Sequence, residues 1–161
     1  MKIGVISDTH GLLRPEVLPA LDGAEHILHL GDVGDFKILN SLKKVAPVTA
    51  IRGNIDREGK CGKLPETEVV LFEDHYLYML HDVQTLHLDP AAAKFSVVLC
   101  GHSHKPDIRR HKGVLYFNPG SCGPRRFSLP VTIGILTVVK DASPIAEIMH
   151  LNIAQSQAAV K

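Results

Sequence analysis

Seven residues of metal-ligating type stand at the ends of apolar runs in this chain: Asp8 and His10 in "SDTHG", Asp32 in "LGDVGD", Asn54 in "RGNID", His81 in "MLHD", and His102 and His104 in "CGHSH". A set that mixes imidazole, carboxylate and amide oxygen suits borderline divalent ions such as Mn, Fe, Zn, Co or Ni. It does not suit Ca, which prefers an all-oxygen shell. Each residue alone has an ordinary explanation. Asp8 can cap a following helix, a Gly-Asp or Gly-Asn pair is usually a turn, and a single His is usually a hydrogen-bonded residue. Five such arrangements at successive strand ends read instead as one metal site.

The apolar runs define the elements that must carry these residues. Lys2–Ser7 lacks polar alternation, as a central strand covered on both faces does. Strands at His26–Leu30 and Val48–Ile51 follow, with helices at Pro15–Leu21 and Phe36–Lys44 between them. Pro15 suits a first helical turn and Gly23 the turn after it. The βαβαβ order favours a parallel sheet with right-handed crossovers. Further on, "TEVVLFEDHYLYMLHD" reads as two strands around a Glu73–Asp74–His75 turn, "DPAAAKF" as a brief helix and "SVVLCGHSH" as a buried strand. A hairpin around Lys112–Gly113 and the strands "VTIGILTVV" and "IAEIMHLNI" complete the pattern. Many strands and few helices in the second half imply a second sheet packed on the first with helices outside, an α/β sandwich forming one domain over residues 1–161. The residues from Ala154 onward are polar or small and are expected to fray.

All seven candidates are expected at strand ends of the first sheet, where the carboxyl ends of an open α/β sheet form a crevice. Asp8 with His10 and His102 with His104 are two apart, so in extended backbone each pair points to one side. Gly31, Gly53 and Gly101 directly precede Asp32, Asn54 and His102 and permit close backbone approach.

Composition narrows the partner. Eighteen Lys and Arg against 17 Asp and Glu leave a formal charge of +1, with no long-range pull toward nucleic acid or an acidic membrane. Cys61, Cys100 and Cys122 form no CxxC pair and fit reduced thiols, Cys100 as a core residue. Asp8 and His10 interrupt the first apolar run, so neither a signal peptide nor a spanning helix is expected, and the reading is a soluble cytoplasmic protein. A small domain with two sheets is also compatible with a homo-oligomer.

The ordered set "DTHG", "GD", "GNID", His81 and "GHSH" resembles the D-x-H, GD, GN, H and GHxH motifs of the calcineurin-like metallophosphoesterases. The short length and "NPGS" at Asn118–Ser121 resemble the small YfcE-type phosphodiesterase branch. The resemblance runs from Lys2 to about Ser121. It implies a four-layer αββα sandwich of two packed mixed sheets with flanking helices, and two metal ions, manganese first. By the same resemblance Asp8, His10, Asp32 and His104 would hold one ion. Asn54, His81 and His102 would join Asp32 on the other, with Asp32 bridging.

Two divalent ions facing Asp8, Asp32 and a bridging hydroxide leave about one net positive charge, which suits a phosphodiester monoanion. Ions about 3.5 to 4 Å apart lower the pKa of the shared water and clamp the phosphoryl oxygens during in-line displacement. The expected reaction is attack of that hydroxide on phosphorus, with Asp32 and Asn54 as catalytic residues and the Asn54 amide donating to a phosphoryl oxygen. The sequence departs from the wider family at Ile55, where many members carry a histidine that protonates the leaving group. Its absence favours diesters and acidic leaving groups; a shallow dependence on leaving-group pKa would instead point to another acid, Asp56 or His111. Asp82 replaces a common glycine and either orients His81 or caps a turn. His29 is read as a buried, satisfied histidine rather than a support for the metal ligands. The charges of Arg109, Arg110, His111 and Lys112 are read as solubilising a hairpin tip, whereas Arg125, with Arg126, is a candidate substrate contact. The alternative function is a non-catalytic interaction module resembling the retromer scaffold subunit, which has this fold but lacks part of the metal set.

Overall fold

The computed structural model describes residues 1–153; the fraying expected from Ala154 onward lies outside them. The first sheet contains β1 (Lys2–Ile6), β2 (His26–His29) and β3 (Val48–Ala50) in parallel, joined through α1 (Val17–Ala20) and α2 (Lys37–Leu42). The second contains β4 (Thr67–Phe72), β5 (His75–Leu80), β6 (Val97–Leu99), β7 (Asp107–His111) and β8 (Val114–Asn118). The chain then returns to the first sheet through β9 (Thr132–Thr137) and β10 (Ile145–His150), giving the orders β10-β9-β1-β2-β3 and β4-β5-β6-β8-β7. Both sheets are mixed: β9 runs antiparallel to β1, and β5, β6 and β8 are parallel between the antiparallel edges β4 and β7.

Alternation along each strand builds the layers. Ile3 and Val5 of β1 face inward with Leu28, Leu77, Met79, Val97, Leu99 and Phe117, making the core between the sheets. Ile6 and Ile27 face outward onto Val17, Leu21, Ile38 and Leu42 of the helical layer. The opposite outer layer, over Leu80, Val98 and Tyr116, consists of Val83, Leu86 and Ala91 from a 3-10 turn (Val83–Thr85) and the segment beyond it. The architecture is the expected α/β sandwich, with this layer much reduced.

Two local expectations need correction. "DPAAAKF" forms a capped turn rather than a helix. Asp89 Oδ1 accepts from the amides of Ala91 and Ala92 at 3.0 and 3.2 Å, and Lys94 enters the left-handed region at φ 62°, which ends helical propagation. Both helices are also shorter than their apolar patterns suggest; in α1, Pro19 has no N–H to bond the carbonyl of Pro15 and start the helix there. Lys112–Gly113 does make the hairpin turn between β7 and β8, both residues at positive φ, as a type I′ turn requires. None of the helices among the described residues is long and apolar enough to cross a membrane.

Candidate metal centre

The seven candidates meet at the seam between the sheets, not along one sheet edge. Asp8, His10, Asp32 and Asn54 follow β1, β2 and β3 of the first sheet, whereas His81, His102 and His104 follow β5 and β6 of the second. The backbone that aims them is also not extended. Asp8, His10, Asp32, His102 and His104 all occupy the left-handed region, with φ between 45° and 68°. Asp and His tolerate this region better than most side chains, yet each instance costs about 1 kcal/mol or more. The loops are therefore held from outside. Asp8 N–H donates to Gly31 O at 3.0 Å, His10 N–H to Asp32 O at 2.9 Å, and Gly11 N–H to Val33 O at 2.9 Å. Gly53 lies against the Asp32 carboxylate, and Gly101 against Ser7 Oγ and the Asp8 carboxylate, so a Cβ at either would collide with a candidate ligand.

Two groups of donors result, Asp8–His10–His104 and Asp32–His81–His102, each with its ligand atoms within 4.8 Å of one another. Asp32 Oδ2 stands between them, 3.2 Å from His81 Nε2 and 3.5 Å from His10 Nε2. Asn54 Oδ1 lies 3.1 Å from both His81 Nε2 and His102 Nδ1.

The donor chemistry fits divalent cations. His81 Nδ1 lies 2.7 Å from Leu30 O and must carry the proton, which in the neutral ring leaves Nε2 with a lone pair. That lone pair faces Asp32 Oδ2 and Asn54 Oδ1, an arrangement of three electron-rich atoms that a cation reconciles. Asp8 Oδ1 is buried without a hydrogen-bond partner among the described residues, and the imidazoles of His104, His10 and His81 lie around it at 3.4, 3.7 and 3.9 Å. Burial alone would raise the Asp8 carboxyl, but these imidazoles hold it well below the usual carboxylate range. Asp32 is likewise lowered against its burial by His81 and the Ile55 amide, and His81 is raised against its burial by Asp32 and Asp8.

Surrounding polar residues set the loops. His29 is fully buried and satisfied: Gly31 N–H donates to its Nδ1 at 3.2 Å, its Nε2–H donates to Thr9 Oγ1 at 2.9 Å, and Thr9 Oγ1–H donates to Val33 O at 2.9 Å. This chain ties the Asp8–His10 loop to the Asp32 loop and selects one neutral tautomer. Burial depresses the His29 pKa from 6.5 to about 4. The unfolded chain therefore takes up a proton below pH 6.5 that the folded chain refuses. Stability from this residue is complete above pH 6.5 and is lost as pH falls toward 4, by about 3 kcal/mol in all. His81, with a raised pKa, acts in the opposite sense, so the difference between two proteins isolates His29. Urea unfolding of the metal-free protein at pH 7 and pH 4.5 should show a smaller acid loss in His29→Gln than in the unsubstituted chain; equal losses would contradict this account.

Asp56, one of two acids that a shallow leaving-group dependence would point to, is 3% exposed and accepts from the amides of Val33, Gly34 and Gly53 at 3.0, 2.9 and 2.9 Å. It staples the loops after β2 and β3. Its position two residues beyond Asn54 was the available signal, which a search for proton donors misreads. His111 ends β7 at the hairpin and lines a cavity away from the donor groups. Asp82 caps the Val83–Thr85 turn through Gln84 N–H at 3.0 Å and lies 3.8 Å from His102 Nε2, not against His81. Arg125 does not line the cavity beside the site; its Nε donates to Leu129 O at 3.2 Å. Arg109 packs over the Tyr116 ring at 4.5 Å and pairs with Asp107 at 3.4 Å.

Asn118 and Ser121 were noted only within "NPGS", yet both hold the site. Asn118 Nδ2 donates to Gly101 O and Ser103 Oγ at 2.9 and 3.1 Å, and Ser121 Oγ donates to Asp8 O at 2.9 Å. All three cysteines are buried and free, and burial pushes the Cys100 and Cys122 thiols up to about 12, which keeps them unreactive.

Two mixed sheets meeting over paired His–Asp donor groups define an α/β sandwich built for divalent metal. The chain belongs to the calcineurin-like phosphoesterase superfamily, whose domain model matches residues 1–141. It is 36% identical over 134 residues to a probable metallophosphoesterase of Methanocaldococcus jannaschii, covering 75% of this chain and 68% of that protein. It is 32% identical over 164 residues to the phosphodiesterase YfcE of Escherichia coli K12, covering 84% and 87%. Among solved structures, a novel archaeal phosphodiesterase aligns with a TM-score of 0.78 at 24% identity, over 94% of this chain and all of that one. Vps29 of Entamoeba histolytica, in a complex with zinc, aligns with a TM-score of 0.72 at 21% identity, over 94% and 100%. At these identities the two structures speak for the fold alone.

Proposed function

We propose that this chain is a phosphodiesterase dependent on two divalent ions, manganese first among the candidates, acting on a small phosphodiester in the cytoplasm. The observation that carries the reading is Asp32 Oδ2, within 3.5 Å of an imidazole from each donor group. Asp8, His10 and His104 would hold one ion, His81, His102 and Asn54 the other, and Asp32 both. When bound, such a pair polarises the phosphoryl oxygens and supplies hydroxide at neutral pH for in-line displacement.

The protein's own contribution is placement and exclusion. Leu30 O fixes the His81 tautomer so that Nε2 faces the site, and the Ile55 amide fixes Asp32 Oδ1 at 3.0 Å so that Oδ2 is the free oxygen. Asn54 is exposed beside them, positioned to donate from its amide to a phosphoryl oxygen. Asp56 is engaged by three backbone amides and Ile55 carries no proton, so the leaving oxygen departs with its charge. A site of this kind should turn over aryl diesters faster than alkyl ones.

Metal-free protein reconstituted with manganese should bind two equivalents and hydrolyse bis(4-nitrophenyl) phosphate. A series of substituted aryl diesters should show kcat falling steeply as leaving-group pKa rises. A shallow dependence would mean that another acid serves the leaving group. The fold shared with Vps29 leaves room for a second reading, a non-catalytic interaction module, because a fold does not by itself imply catalysis. Neither metal uptake nor turnover with any first-row divalent ion would select that reading.

A further inference from the structure

A cavity of about 780 Å³ opens from one side of the centre. Asn54, His81 and His102 line it, while Asp8, His10 and His104 do not. It belongs to one donor group only, and it is much larger than a phosphoryl group needs, within the size range of small-molecule sites.

Its walls are chemically uneven. Leu88, 39% exposed, and Tyr78 supply an apolar surface. The Tyr78 ring is fixed in place by stacking on Phe95, with centroids 5.1 Å apart and planes 10° from parallel. Besides His81 and His102, three basic side chains line the same cavity: Arg52, Arg57 and His87. Arg52 is neutralised by Glu66 at 2.5 Å, and the remaining acid of the lining, Asp82, is turned to the Gln84 amide and His102. Arg57 makes no ion pair among the described residues. Its Nε donates to Asn54 O at 3.0 Å, which anchors the guanidinium next to a donor-group residue of the lining and leaves its two terminal nitrogens unengaged among the described residues.

We propose that this cavity is a substituent subsite, that it takes a flat or apolar group of the phosphodiester bearing a second anionic group, and that Arg57 is the residue selecting that anion. The inference rests on the phosphodiesterase reading above and deepens it by naming a substrate class: diesters with a further carboxylate or phosphate on one substituent. Arg57 supplies the counter-charge, with donors suited to planar oxyanions. Tyr78 and Leu88 supply the surface against which the body of the substituent packs.

The test compares inhibition of bis(4-nitrophenyl) phosphate hydrolysis by two slow diesters that differ in one charge, diphenyl phosphate and 4-carboxyphenyl phenyl phosphate. The carboxylated compound should have an inhibition constant about tenfold lower, as a charge-assisted hydrogen bond implies. The preference should disappear in Arg57→Gln and persist in Arg57→Lys, because the ratio of the two constants cancels any change common to both compounds. Hydrolysis of the reporter diester with no preference between the inhibitors would overturn the subsite while leaving the phosphodiesterase reading intact. Absence of hydrolysis with every divalent ion would remove the phosphodiesterase reading itself. A preference that survives in Arg57→Gln would assign the anion to another group and overturn the role of Arg57.

Discussion

Asp32→Asn is expected to remove most of the bound metal and to lower turnover of bis(4-nitrophenyl) phosphate by more than about 100-fold, a larger loss than His10→Asn causes. The reason is the fixed orientation of this side chain. Oδ1 accepts from the Ile55 amide at 3.0 Å, so an asparagine there must turn its carbonyl oxygen to Ile55. Its NH2 then occupies the position of Oδ2, between His81 Nε2 and His10 Nε2. A shared anionic oxygen is thereby replaced by a donor that cannot ligate a cation. His10, by contrast, belongs to one group. Metal content measured beside kcat checks the assignment; full two-metal occupancy in Asp32→Asn, or equal losses in the two variants, would end the shared role.

Asp56→Ala should destabilise the metal-free protein by about 3 kcal/mol or more, the cost of leaving three buried or half-buried amides without their acceptor. Those amides belong to Val33, Gly34 and Gly53, which flank Asp32 and Asn54 in the chain. Metal affinity should therefore fall together with stability, although Asp56 reaches neither donor group in the way a ligand would. Urea unfolding without metal separates the two effects, since a residue acting only through the ion would leave that measurement unchanged. A loss below about 1 kcal/mol would show that the loops after β2 and β3 are held by other contacts.

Much of the centre was legible in the chain because its parts are local. Apolar runs such as Lys2–Ile6 and Val97–Leu99 become strands buried on both faces, and a polar residue just past such a run must emerge at the strand end. Motif order was sufficient for all seven donors to be named together with the sandwich they stand on. Extended backbone, however, was the wrong account of the paired donors. Asp8, His10 and His104 converge on one donor group while His102 turns to the other, because their loops pass through the left-handed region, stabilised by carbonyls of other strand loops that no local pattern reveals.

What only the tertiary structure decided are the relations between residues distant in sequence. The strand ends of both sheets converge because the sheets pack face to face through Val5, Leu28, Met79 and Leu99, which brings His81 within 3.2 Å of Asp32. Asp56 and Arg125 are both polar residues near a motif, but one faces three buried or half-buried amides and the other bonds the carbonyl of its own loop. Arg57 carried no signal at all, since a free guanidinium differs from a neutralised one only through what surrounds it. The sequence determined which groups could bind a cation, a property of their chemistry. Their partners, orientation and access depended on packing across the seam, a property of the folded whole.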